Sequence, residues 1–311
     1  MSWVRATARS WSGRVGLVLM AVFLMTVVMS YIWVPYDPRR VGERWLGMSV
    51  DHWFGTDAAG KDLFSQVLVG ARVSLFVAVA SALIAGVVGV TLGVISAITP
   101  RVLGESLAYF IDVLIALPTL VLALVLVGLF KGSLVTVSLA IGVSSGVVLA
   151  RILRAEVAGV LARDYILAAH ASGTSTWRTV RRHVLPNIAP IVIVQVSLIA
   201  ALAILAEAAL SFLGVMSRSR PSWGQTLGEL QPHVTLHPGA IVFPALFLVA
   251  ATLGFNLLGD GLRDATDPRL RSGGRGAGGQ PTATGVLPDT AVVSPLVAAP
   301  PTTTTIAGTD R

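Results

Sequence analysis

The stretch VSLFVAVASALIAGVVGVTLGVISAI, Val73 through Ile98, runs for 26 residues without an Asp, Glu, Lys or Arg. A bilayer core of roughly 30 Å asks for about 20 consecutive apolar residues in a helix rising about 1.5 Å each. This stretch exceeds that length and shows none of the short alternation of a half-buried strand. Five further blocks reach or approach it: Val15–Val34, Leu107–Phe130, Ser133–Leu153, Ile188–Val215 and Ala240–Leu258. The fold class read from them is an all-α integral membrane protein with six transmembrane helices.

Composition agrees. Of 311 residues, 54% are hydrophobic and only 13% charged, about half the charged fraction of a soluble domain. Too little polar surface exists to face water on all sides. Cysteine is absent, which excludes a disulfide scaffold and thiolate metal sites. The net charge of +7 reads as membrane-helix anchors, not as a nucleic-acid surface. Arg5, Arg9 and Arg14 precede the first apolar block, which ends at Val34-Pro35-Tyr36-Asp37-Pro38 with no small-x-small cleavage site. The block is therefore a retained first helix.

With the N-terminus in the cytoplasm, fifteen Lys and Arg fall on the inside and eight on the outside, so both termini are expected in the cytoplasm. The chain then divides into a cytoplasmic N-terminus (1–14), a first transmembrane helix with an extracytoplasmic loop (15–72), a transmembrane core (73–262) that includes the loop 154–186, and a cytoplasmic tail (263–311). The tail is Gly-, Pro- and Thr-rich and is expected to be disordered from about 272. Gly89–Gly93 and Gly142–Gly146 are spaced for close helix packing. Pro118 and Pro244 lie inside the third and sixth blocks, as ordinary bundle kinks or as hinges of a pathway.

The segment between the fourth and fifth blocks is too polar to span and too patterned for a random loop. Arg163-Asp164-Tyr165-Ile166-Leu167-Ala168-Ala169-His170-Ala171-Ser172 reads as a short helix. Asp164 suits the N-cap, with its charge at the positive end of the helix dipole. Gly173 falls at the position after the helix that needs a positive φ. Thr174-Ser175-Thr176 offers capping hydroxyls for a second helix, Trp177 to Leu185, which Pro186 ends before span five. Such an elbow would carry a push from a partner protein into two membrane helices. A lipid-facing amphipathic hairpin is the other reading of the same spacing. In either case Arg178, Arg181 and Arg182 would pair with acidic groups or lipid head groups.

Other polar residues invite chemistry. Gly55-x-x-x-x-Gly60-Lys61 resembles a phosphate-binding loop, but Asp62 stands where a Mg²⁺-ligating hydroxyl is needed and no apolar strand precedes it. Glu207, within the fifth block, and Asp112, within the third, are acids in a membrane and so are candidate pathway or interhelical groups. Glu207 would attract the amino terminus of a peptide, or form a structural hydrogen bond. His233 and His237 are four apart, yet Pro232 and Pro238 argue against the helix a metal pair would require. Trp53 and Trp223 are expected at the membrane interface.

The pattern Ala168-Ala169-x-x-x-Gly173 with Leu185-Pro186 resembles the signature loop of bacterial ATP-binding-cassette (ABC) importer permeases. Leu167 stands in that signature's glutamate position and His183 where an Ile is usual, so a salt bridge from the family glutamate is lost here. The segments from His52 to Asp62, Gly70 to Leu75, Asp112 to Thr119, His183 to Asn187, Glu207 to Gly214, Pro221 to Gly224 and Asn256 to Asp264 follow in order. Together they are similar to the dipeptide/oligopeptide/nickel permeases, C-type subunit. The likeness runs from about residue 10 to residue 270.

That resemblance implies a type I permease fold in the bacterial plasma membrane and a non-catalytic role. It implies a second homologous permease subunit, two cytoplasmic ATP-binding subunits that carry ATP and Mg²⁺, and an extracytoplasmic peptide-binding protein. No cofactor or metal is implied for this chain. The coupling-loop residues would be Asp164, Leu167, Ala168, Ala169, Gly173, Leu185 and Pro186. Peptide is the expected cargo, with nickel or another small solute as the alternative. A secondary transporter or a membrane assembly factor are rivals of other classes; the first would show internal repeats, and none is seen.

Overall fold

The computed structural model describes residues 7–8, 10–116, 118–129, 132–216 and 220–266. The expectation of a disordered tail from 272 lies outside them. Among the described residues every element is helical, apart from one isolated bridge between Thr56 and Asp62.

Helix α1 (Trp11–Ile32) starts at Ser10, whose side chain accepts from the Gly13 N–H. Helix α2 (Leu63–Ile98) starts at Asp62, which accepts from the Ser65 N–H. It begins ten residues before the apolar run, so Arg72, expected in the loop, lies within the helix. Helix α5 (Leu134–Leu161) is capped by Ser133. In each case a side-chain oxygen satisfies a donor that the first turn cannot.

The third span departs from expectation. In place of one helix over 107–130 there are two, α3 (Arg101–Ile115) and α4 (Thr119–Leu129), bent by 80°. Pro118 sits at the break. It lacks the N–H to continue the ladder and disfavours α backbone in the residue before it. Pro244 instead lies inside an unbroken helix, α10 (Pro238–Thr266). Five helices are each long and apolar enough to cross a membrane, and the bent pair makes a sixth if it counts as one span.

The two glycine pairs meet each other. A Cβ on Gly142 would lie 2.7 Å from Ile84 Cβ, and one on Gly146 would lie 2.8 Å from Val88 Cβ. Reciprocally, a Cβ on Gly89 would lie 2.6 Å from Leu149 Cγ and one on Gly93 would lie 2.9 Å from Leu153 Cβ. Helices α2 and α5 therefore run parallel at close approach, each glycine receiving a branched side chain of the other. Helix α1 packs antiparallel on α10, with Gly16 against Leu257 and Gly13 against Gly261.

This topology gives the bundle two ends. At the loop end, segment 33–62 meets the connection into α10: Phe54 stacks on Phe243 with ring centroids 4.0 Å apart, and Trp45 stacks on His237 at 3.9 Å. At the elbow end, Thr7 approaches Gly261, and Val180 and Val184 of the segment between α5 and span five pack on Val157 and Val160.

Candidate functional site

The elbow is built from the fifth helix outward. Helix α6 (Asp164–Ala171) follows α5 after two residues. The Arg163 carbonyl, not the Asp164 side chain, opens it, accepting from Ile166 N (2.9 Å) and Leu167 N (3.2 Å). Asp164 is thus inside the first turn, a correction to its expected N-cap place, although its charge still faces the positive end of the dipole. Gly173 has φ +79 and nothing within 4 Å of where a Cβ would sit. The Thr174 N–H returns to the Ala169 carbonyl at 3.0 Å, the bond that closes a helix through a left-handed residue.

Ser175 caps the next helix by position, without a side-chain bond. That helix does not end at Pro186 as expected. Helix α7 (Thr176–Thr179), a π turn (Val180–Val184) and α8 (Leu185–Phe212) form one 37-residue rod. In the π turn the Leu185 N–H bonds to Val180 O, five residues back. The widened turn gives the Pro186 ring room against the preceding carbonyls, and the helix runs through.

The elbow is anchored by Ile166, Val180 and Val184, each at most 1% exposed. The two valines pack with Val157, Val160 and Ile188. Asn187 Nδ2 donates to the His183 carbonyl at 2.7 Å, and the Tyr165 and His183 rings lie 6.0 Å apart. Outward, Leu167 is 57% and Trp177 70% exposed. Ala168, Gly173, Asp164 and Pro186 are exposed as well, Ala169 and Leu185 partly so. Arg178, Arg181 and Arg182 all stand on the surface of the same rod. The result is a rigid base with an unpaired apolar tip.

At the loop end, the phosphate-loop look-alike holds an anion of its own. Asp57 Oδ1 accepts from Ala59 N (2.8 Å) and Lys61 N (2.9 Å), the N–H groups such a loop would offer a phosphate. Asp57 Oδ2 accepts from Gln66 Nε2 at 2.8 Å, and Gln66 Oε1 lies 3.1 Å from Thr226 Oγ1 on α9 (Trp223–Leu230). A buried polar chain therefore ties the loop to α2 and α9. Trp223, expected at the interface, is fully buried and donates to the Val67 carbonyl at 2.9 Å. Helix α9 tucks between α2 and α8 because Gly70 and Gly224 clear the space: a Cβ at either would fall within 2.6 Å of the indole or of Ala208 O.

His233 and His237 do not share a helix. His233 ends a 3₁₀ turn (Gln231–His233) and His237 precedes α10, which opens at Pro238; both rings contact Trp45. Among the described residues no group of three His, Cys, Asp or Glu is placed to hold a metal.

A cavity of about 850 Å³ opens at the loop end. Its polar lining includes Asp37, Arg39, Arg72, Arg220, Ser211 and Ser222. Glu207 lies behind it, fully buried, with Oε1 accepting from Ser211 Oγ at 2.6 Å. Asp112 is not close to Glu207's partners. It pairs with Arg151 at 3.5 Å, an exposed link between α3 and α5. Arg72 was not singled out by sequence reading; its signal was a single arginine bordering the longest apolar run.

Residues 89–272 match the family model of the binding-protein-dependent transport system inner membrane component. The dipeptide transport system permease protein DppC of Alkalihalophilus pseudofirmus is 34% identical over 83% of this chain and 86% of its own length. The oligopeptide transport system permease protein OppC of Bacillus subtilis is 34% identical over 83% and 85%. The glutathione transport system permease protein GsiD of Pectobacterium atrosepticum is 32% identical over 87% and 91%. The chain belongs to this family of binding-protein-dependent permeases and is a multi-pass membrane protein.

Proposed function

We propose that this chain is the C-type permease subunit of an ATP-driven importer of short peptides. The relatives named above are permeases for dipeptides, oligopeptides and glutathione, all peptides, along nearly their full lengths. It would pair with a second, homologous permease and receive cargo from an extracytoplasmic peptide-binding protein. Two ATP-binding subunits would dock at the elbow end and hold the ATP and Mg²⁺; this chain would itself be non-catalytic. Both termini and the elbow would then face the cytoplasm, as the Lys and Arg distribution requires.

The observation that carries the reading is the continuity of the elbow with a membrane helix. An exposed apolar tip at Leu167, Ala168 and Trp177 seats in a partner. The rod from Thr176 to Phe212 is one continuous helix, so a push at the tip is carried into span five. ATPase closure at the tip therefore moves span five as a lever, with Pro118 and Pro244 as sites where other spans yield. The test is disulfide trapping in the complete transporter. A cysteine at Ala168 should cross-link to a cysteine on the ATPase face in the nucleotide-free state, and reduction should restore peptide uptake. Labelling of that cysteine by an impermeant thiol reagent added outside intact cells would refute the orientation and the coupling role together.

A further inference from the structure

We propose that the cavity at the loop end is a two-pole site for a zwitterionic peptide, with the carboxylate held by Arg72 and the ammonium by Glu207. This rests on the peptide-import reading and adds where, and by which termini, the cargo is held. The cavity volume of about 850 Å³ falls within the range of roughly 300–1,000 Å³ usual for ligand sites.

The cationic pole is preorganised. Arg72 lies in helix α2 at the edge of its apolar run, where the loop end begins. Its Nε donates to Ser30 Oγ at 2.8 Å, and its Cζ sits 4.3 Å from the centre of the Tyr31 ring. One edge and one face of the guanidinium are thereby fixed. Arg72 lines the cavity, and Nη groups turned to it would take a carboxylate by two parallel hydrogen bonds. Arg39, Arg220 and Asp37 line the same cavity.

The anionic pole is half satisfied. Glu207 Oε1 accepts from Ser211, but Oε2 has no hydrogen-bond partner among the described residues. Ser222 stands beside the same carboxyl. Both serines line the cavity, so one layer of small hydroxyl side chains separates the acid from the space. A buried oxygen left without a donor is costly. An ammonium group, with three donors and no acceptor, supplies what is missing through a rotation of the Ser211 hydroxyl.

The test is competition on the complete transporter in lipid nanodiscs, without the binding protein. A photoreactive tripeptide with free termini is cross-linked in the presence of trialanine, N-acetyl-trialanine or trialanine amide. In the unmodified complex each blocked peptide should compete about tenfold more weakly, the effect of one charge-assisted hydrogen bond. Glu207→Gln should erase the penalty for acetylation and keep that for amidation; Arg72→Gln should do the reverse. Equal competition by all three peptides in the unmodified complex, or penalties unchanged in the variants, would overturn the site. If one variant fails to assemble, the other decides; if both fail, the ranking in the unmodified complex decides. Absence of any cross-link in a complex that still imports peptide when placed in sealed vesicles with its binding protein would overturn the site alone. Absence of import would instead sink the peptide reading.

Discussion

The two ends of the bundle are built on opposite principles. At the loop end, aromatic rings stack on one another and carboxylates such as Asp57 and Asp62 are nearly buried, each with several donors. Trp45 holds a φ of +57 there, a strained value for a bulky residue that its contacts with His233 and His237 help maintain. At the elbow end few side-chain bonds cross from α6 to the rod, and the shape rests on the packing of Ile166, Val180 and Val184. Both ends expose apolar side chains, Leu167 and Trp177 at the elbow and Met48, Val50 and Leu236 at the loops. A polar network holds one end and apolar packing the other.

The largest effect expected from this contrast is at Gly173. Gly173→Val places a β-branched residue at φ +79, where side chains other than glycine's are strained. Peptide uptake should fall to background while the amount of membrane-inserted protein is unchanged. Normal uptake by this variant would end the idea that the elbow transmits force. Because open space surrounds the position, a loss of transport would reflect the backbone turn and not a clash.

At the other end the same scale of perturbation should read out as stability. Trp223→Ala empties a fully buried site and orphans the Val67 carbonyl. A cost of about 3–5 kcal/mol is expected, seen as a lowered thermal midpoint of the purified complex. Asp57→Ala should come next. It removes the acceptor of Ala59, Lys61 and Gln66, with about 1–3 kcal/mol at stake because the Gln66 amide is left buried without it. Faster hydrogen exchange confined to 55–66 would be its signature, and a global change would deny that this turn is a local unit.

The smallest effect belongs to Asp112→Asn. Its pair with Arg151 is 3.5 Å long between side chains more than half exposed, and such pairs are worth under about 1 kcal/mol. A double-mutant cycle with Arg151→Gln that gave several times this value would show that a partner covers and strengthens the link.

The elbow's turn was readable in the chain because its determinants are local. Gly173 and the helix closed by Thr174 need only a few neighbouring residues, and so does the N-capping of α1, α2 and α5 by Ser10, Asp62 and Ser133. The continuity of the rod through Pro186 was not readable. Proline normally ends a helix, and only the π turn before it, held by the packing of Val180 and Val184, lets the backbone continue. The candidate cavity was legible in part. Glu207 stood out as an acid in an apolar run, whereas Arg72 drew no notice because the start of α2 was placed ten residues too late.

Hydrophobic length and the absence of charge determined by themselves that this chain crosses a membrane and about how many times, since bilayer thickness is a one-dimensional measure that a run of residues either meets or does not. The glycine spacings likewise announced close-packed helices. Which side chains the glycines receive, that α2 and α5 run side by side, that Trp223 turns inward beneath the loop, and that Arg72 lines a cavity with Glu207 behind its serines were decided only by the tertiary structure. Those facts depend on contacts between residues tens to hundreds of positions apart, and no local pattern encodes which of the many possible pairings packs without voids.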